Sequence, residues 1–218
     1  MACPPRRRRT ILAFGESRTD TSALRELAAA LRSDLPAVAP RKEPIILSKG
    51  AATTRMATLA RRVASLVRAE QVEADVVAVL AHRDLDAIDS RETMSEILAD
   101  ARALQTSLAA EVPAGVVIIP IVPAWEMEAW WLLWPAQVAA YRPGWRLLPD
   151  RSGKRVDQIP AAKETLIHAL RPTGRARVPD YSESDGPRIA AKVREARTAR
   201  APRESLIKFR STRHRNVR

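Results

Sequence analysis

Cysteine is almost missing from this 218-residue chain, with Cys3 the only one. A disulfide framework and a cysteine-based zinc site are therefore excluded. Histidine is scarce too: His82, His168 and His214 are too scattered for a His-rich cluster, so any metal must be held by oxygen. Long apolar runs are also lacking. The longest are strand-length and bounded by charge, so no segment reads as a transmembrane helix. The stretch Met1–Arg9 is basic enough to suggest a twin-arginine signal, but the apolar run after it, Ile11–Gly15, stops at Glu16, far short of an h-region. The expectation is a cytoplasmic protein with no membrane partner. No internal repeat and no Gly/Ser linker divides the chain.

Positive charge is abundant. Lys and Arg number 37 against 25 Asp and Glu, a formal net charge of +12. Such a polycation seeks phosphate polymers or anionic surfaces, although an Arg- and Ala-rich surface from codon bias has the same composition. With 46% apolar residues the chain has enough material for one compact domain with a real core.

Short β-rich runs alternate with helical stretches. Thr10–Phe14 is a compact apolar run, and Thr19–Leu35 carries Leu24, Leu27, Ala28 and Leu31 at helical spacing until Pro36 and Pro40 end it. Pro44–Leu47 is a short strand candidate, and Thr53–Glu70 is a second helix through Met56, Leu59, Val63 and Leu66. Ala74–Ala81 is the cleanest buried strand, Asp89–Glu111 a long helix, and Ala114–Val122 another β-branched run. Continuous rather than alternating apolar strands, separated by helices, predict an α/β fold with a mainly parallel, doubly wound sheet. After Pro123 strands disappear. Trp125–Trp134 reads as a helix apolar nearly all round, Pro143–Arg155 as a loop, and Ala161–Leu170, Pro187–Arg197 and Glu204–Phe209 as short helices. The expected organisation is a basic arm over 1–9, a core over 10–124, a helical C-terminal part over 125–209 packed on that core, and a basic tail over 210–218.

Open parallel sheets gather their chemistry at the carboxyl ends of the strands. Two such ends carry acids here. The first strand runs into Gly15-Glu16, and the third into His82-Arg83-Asp84-Leu85-Asp86-Ala87-Ile88-Asp89. If these strands are neighbours, Glu16, Asp84 and Asp86 crowd together and repel each other unless a cation neutralises them. An oxygen-only set of this kind suits Mg²⁺ (or Mn²⁺), completed by water and a substrate phosphate. Asp89 is set apart, because Glu92 three residues later makes it a capping box for the following helix.

These residues carry a resemblance. Gly15-Glu16-Ser17-x-Thr19-Asp20 after one strand and His82-Arg83-Asp84-x-Asp86 after a later one resemble the Toprim catalytic domain of topoisomerases, bacterial primases, small RNA-maturation nucleases and the overcoming-lysogenization-defect nucleases. The resemblance implies that Glu16 matches the family's invariant Glu, and Asp84 and Asp86 its D-x-D. Ser17 and Arg18 depart from it, standing where the family usually has acidic or amide residues. Trp125-Glu126-Met127-Glu128-Ala129-Trp130-Trp131-Leu132-Leu133 is similar to a segment of small stand-alone Toprim-like proteins, the RloB-like group and a family near it, often encoded beside an ABC-type ATPase. Tyr181-Ser182-x-x-Asp185-Gly186-Pro187 resembles that neighbouring family too.

The Trp-rich segment has its own reading. Met127, Trp130, Trp131 and Trp134 form a stripe that belongs in a core, with Glu126 and Glu128 flanking it. A carboxylate on such a segment needs a partner. Glu128 either pairs with an arginine such as Arg83 or reaches the acidic site as a further ligand or catalytic base, whereas Glu126 is expected to be solvated or paired. Arg83, Lys163 and Lys208 are candidate nucleic-acid contacts, and the clusters Arg6–Arg9 and Arg210–Arg218 candidate electrostatic arms.

The Toprim resemblance implies phosphoryl-transfer chemistry. A topoisomerase needs a tyrosine nucleophile on a second domain and a clamp, and a primase needs a zinc module; neither has room here. Metal-dependent phosphodiester cleavage remains as the expected activity. Ser152-Gly153-Lys154 is no Walker A motif, so any ATPase is another chain. The ATPase-paired relatives imply a role in defence against phage or mobile DNA. Two alternatives stand beside this: a non-catalytic Toprim-like subunit that binds nucleic acid or anchors an ATPase, and a structured-RNA endonuclease.

Overall fold

The structure, a computed structural model, describes residues 7–32, 34–40, 53–84, 93–123, 126–149, 151, 156, 159, 161–172 and 178–196. Its centre is a four-stranded, all-parallel sheet built from β1 (Arg9–Phe14), β2 (Ala37–Pro40), β3 (Asp75–His82) and β4 (Val117–Ile121), in the order β2-β1-β3-β4. Helices α1 (Arg18–Leu31), α2 (Thr53–Glu70) and α3 (Thr93–Ala109) connect them in turn. The expected α/β class and the parallel sheet are therefore present.

Strand periodicity explains the two layers. Ile11 and Ala13 of β1 and Ala78 and Leu80 of β3 face one side, where they pack with Ala23, Leu24 and Leu27 of α1. Leu12, Phe14, Val79 and Ala81 face the other and pack with Ala60, Val63, Ala64 and Val67 of α2 and Leu104 and Leu108 of α3. Both faces being covered, the inner strands have no polar face to alternate with. That is why they read as continuous apolar runs.

The second strand lies where none was expected. The strand candidate Pro44–Leu47 lies outside the described residues, as does the Asp89–Glu92 capping box. The second described strand is Ala37–Pro40, which the prolines had marked only as the end of a helix. Among the described residues it pairs with β1 alone, at the edge of the sheet, where a missing proline N–H is tolerated. Four residues beside two prolines carry too little periodicity to be read.

Beyond β4 the described elements are helical. The helix expected over Trp125–Trp134 is present over Met127–Leu133 as a 3₁₀ helix, followed by α4 (Pro135–Tyr141), α5 (Ala162–Leu170), a short 3₁₀ turn (Glu183–Asp185) and α6 (Gly186–Glu195). These elements complete the α1 side of the core, and α6 runs along α1. Trp130, Trp131 and Trp134 are all buried there, as the stripe predicts. The helix candidate Glu204–Phe209 and the tail 210–218 lie outside the described residues.

The Tyr181–Gly186 segment is tied down by one carboxylate. Buried Asp185 accepts hydrogen bonds from the Tyr141 hydroxyl (2.7 Å), the Arg142 guanidinium (2.8 Å) and the Ser182 amide (2.9 Å). Gly186 stands where a Cβ would come within 3.3 Å of the Trp131 ring, so a side chain there would push on the core. Asp185→Ala strands three donors at once. It is expected to cost about 2–4 kcal/mol in urea unfolding, whereas Arg171→Ala, which breaks a solvent-exposed pair with Asp180, leaves the midpoint almost unchanged.

Candidate active site

The order β2-β1-β3-β4 contains a switch point. From β1 the chain moves outward to β2, then crosses back to β3 on the other side of β1. Connections leave the carboxyl ends of β1 and β3 toward opposite faces, the arrangement at which open parallel sheets commonly bind their ligands. Phe14 pairs in register with Ala81, so Glu16, two residues past Phe14, and Asp84, three past Ala81, leave the same edge of adjacent strands. The structure thus brings Glu16 and Asp84 to one end of the sheet. Asp86, the third expected ligand, lies outside the described residues.

Local chemistry fixes both strand ends. Gly15 allows close passage, because a Cβ there would lie 3.1 Å from Thr21 Cγ2 and 3.4 Å from His82 Nδ1. Helix α1 then starts at once through a capping box. The Ser17 hydroxyl accepts from the Asp20 amide at 3.1 Å, and the Asp20 carboxylate accepts from the Ser17 amide at 2.9 Å. On β3, fully buried His82 sits between carboxylates, with Nε2 3.2 Å from Asp84 Oδ1 and Nδ1 4.0 Å from Asp20 Oδ2. Burial alone would push this imidazole down, but Asp84, Asp20 and Glu16 outweigh it and raise its pKa. His82 thereby links α1 to the β3 end, a role for which the sequence offered no sign beyond its position.

Arg83 is buried, only 6% exposed. Its amide donates to the Ile121 carbonyl of β4 at 3.1 Å. Desolvation lowers the pKa of its guanidinium, and the charge of Glu16 opposes that. Arg83 thus supplies a counter-charge on the Glu16 side.

The 3₁₀ helix brings two more acids. Glu126 accepts from the Lys163 amide at 3.2 Å. It caps α5 from a distance, since Ala161 at the cap position has no polar side chain and sits in the left-handed region at φ 46°. Glu126 is paired, as expected, and desolvation still raises its pKa, with Glu164 and Asp84 adding to the effect. Lys163 itself pairs through its ammonium with Glu183, so this candidate nucleic-acid contact is engaged within the fold. Lys208 lies outside the described residues.

Glu128 is the most perturbed carboxyl of the group. Desolvation pushes it up to about 7, and the charges of Asp84, Glu126 and Glu183 add to the rise. Among the described residues a tyrosine supplies a partner that neither expectation named. The Tyr181 hydroxyl donates to Glu128 Oε1 at 3.3 Å. Sequence reasoning missed this tyrosine as a site residue, because a contact across so many residues leaves no local pattern.

Among the described residues no three His, Cys, Asp or Glu side chains form a ready-made metal cage. The donor chemistry nevertheless fits a hard divalent cation. Glu16 and Asp84 offer carboxylate oxygens at this edge, and Mg²⁺ commonly takes one or two carboxylates and fills the rest with water and phosphate. The charges of Asp84, Glu126 and Glu183, which add to the desolvation that lifts Glu128, are what such a cation would relieve. No helix among the described residues is long and apolar enough to cross a membrane. Compared with known proteins, the chain matches no family model, and no match is found among curated proteins or among solved structures.

The raised Glu128 gives a pH signature. Its ordinary value is 4.5 and its folded value about 7, so the folded state binds more protons between these limits. The stability associated with neutral Glu128 is complete below pH 4.5 and is lost as pH rises through 7. Allowing for partial solvent screening, the loss is on the order of 2 kcal/mol. Glu128→Gln stays neutral, so the melting temperature of wild type should fall relative to the variant between pH 5 and pH 8 (parallel curves would contradict the assignment).

Proposed function

We propose that this protein is a metal-dependent nuclease that cleaves phosphodiester bonds in nucleic acid through a Toprim-like site. The observation that carries the reading is the emergence of Glu16 and Asp84 from adjacent parallel strands at the switch point of the sheet. With Asp86, they would hold Mg²⁺ or Mn²⁺, which when bound polarises a phosphate oxygen and lowers the pKa of water. The protein's own groups do the rest. His82 and Asp20 brace Asp84 from behind. Arg83 balances Glu16. The amino end of α1, opening beside Glu16, favours an anionic oxygen. Glu128, titrating near neutrality, is suited to take a proton at its carboxylate from the attacking water and to return it to the leaving oxygen.

The partner is nucleic acid, DNA or RNA, which a net charge of +12 favours without reading sequence. Because Ser152-Gly153-Lys154 is no Walker A motif, any ATP control would belong to a separate ABC-type ATPase, and the setting is defence against phage or mobile elements in the cytoplasm. This last step rests on the Toprim-like resemblance alone.

Asp84→Asn tests the site. It keeps shape and removes charge, so the fold should survive. Cleavage of mixed DNA and RNA substrates with Mg²⁺ or Mn²⁺ should fall at least about 100-fold, more than the 10–100-fold typical of residues one layer outside a metal. A wild type that cuts nothing, with and without the ATPase, would favour the non-catalytic subunit, and cleavage confined to folded RNA the structured-RNA enzyme.

Binding should also be salt-sensitive and sequence-tolerant. Removing residues 210–218, with Arg210, Arg213, Arg215 and Arg218, should flatten log K against log salt by about 0.7–0.9 per lost phosphate contact. Cut-site preference should not change. A salt-independent affinity would contradict the electrostatic basis of binding.

A further inference from the structure

Tyr181 is 4% exposed and has no room to swing. Its ring lies 6.3 Å from that of Trp145, and the chain that follows it is pinned by Asp185 to Tyr141 and Arg142. Its hydroxyl lies 3.1 Å from Trp131 Nε1 and 3.3 Å from Glu128 Oε1. Hydrogen counting gives these contacts a direction. An indole nitrogen can only donate, so Trp131 occupies a lone pair of the phenol. The single phenolic proton is then committed to Glu128. Trp131 and Glu128 belong to one 3₁₀ helix, and Tyr181 bridges them from another element.

We infer that Tyr181 is a positioning residue. It holds the carboxylate of Glu128 in one orientation at the acidic edge through the directed chain Trp131 to Tyr181 to Glu128. Three features support this beyond the two distances. The phenol is held neutral, since burial and then the charge of Glu128 drive its pKa far above the usual tyrosine value, so it donates at every working pH. Trp131 cannot shift, being buried with Gly186 packed against its ring. Glu128 otherwise faces the like charges of Asp84, Glu126 and Glu183, with Lys163 the cation within reach, and repulsion would swing it away. A fixed donor is what keeps a half-buried carboxylate among other acids in a single rotamer.

The catalytic part of this inference rests on the nuclease reading, whereas the positioning part does not. Two measurements on the full chain keep them apart. The first follows the Glu128 side-chain carboxyl by ¹³C NMR across pH, in wild type and in Tyr181→Phe. Loss of a donor to the charged form should raise the Glu128 midpoint by about one pH unit. The second is cleavage kinetics in a double-mutant cycle with Glu128→Gln. Tyr181→Phe should lower kcat about 10–100-fold with KM nearly unchanged, and should have no further effect once Glu128 is Gln. Glu128→Asp, which withdraws the carboxylate by one methylene, should reproduce the loss from the other end and serves if Tyr181→Phe does not fold. An unmoved Glu128 midpoint, or an equal loss in both backgrounds, would overturn the positioning role. If the wild type cuts nothing but the midpoint still moves, the nuclease reading fails and the positioning role stands.

Discussion

Parallel pairing of β1 with β3 is the constraint on which everything else depends. Those two strands are consecutive in the sheet but not in the chain, and the crossing needed to bring them together makes the switch point at their carboxyl ends. Gly15 and His82 lie at that point because the backbone of one strand end and the imidazole of the other nearly touch. The same tightness makes the acids there costly. Several carboxylates share a partly buried edge with His82 and Arg83 as compensation, and burial first, then the neighbouring charges, push Glu128 up to about 7.

The C-terminal elements answer a packing problem and, in doing so, deliver chemistry. Helix α1 covers its side of the sheet alone, whereas α2 and α3 share the other. The tryptophan-rich 3₁₀ helix, α4, α5 and α6 fill the uncovered remainder with large rings. Rigid rings make good anchors. Trp130 and Trp131 fix the 3₁₀ helix, and through it the acids that flank it: Glu126, consumed in capping α5, and Glu128, held by Tyr181. The Tyr181-Ser182-x-x-Asp185-Gly186 segment is thereby explained residue by residue. Tyr181 donates to Glu128, Ser182 and Asp185 cap each other, and Gly186 admits the Trp131 ring.

Much of this was legible in the sequence. β1, β3 and β4 were readable because burial on both faces removes polar interruptions, and α2 because its apolar spacing is regular from end to end. The tryptophan stripe was correctly read as core, though not its 3₁₀ form, since seven residues before Pro135 suit either helix. β2 was invisible for lack of length. At the site, Glu16 and Asp84 were legible from their places just after apolar strands, and Ser17 with Asp20 shows the spacing of a capping box. His82 as the brace and Tyr181 as the donor were not. Both act through contacts between elements far apart in the chain, which spacing rules do not reach. Glu128 stood out as a carboxylate on an apolar segment, but its partner could be named only once the 3₁₀ helix and the segment leading into α6 were seen together.

The most direct test is a crystal of the wild-type protein grown with Mn²⁺ and measured at the manganese absorption edge. An anomalous difference peak is expected between the carboxylates of Glu16 and Asp84, roughly 2.1–2.2 Å from their ligating oxygens, and it should vanish in Glu16→Gln and Asp84→Asn crystals. A fully occupied peak elsewhere in the molecule, or an empty β1–β3 switch point at millimolar Mn²⁺ with both carboxylates ordered, would contradict a metal-dependent site at this edge.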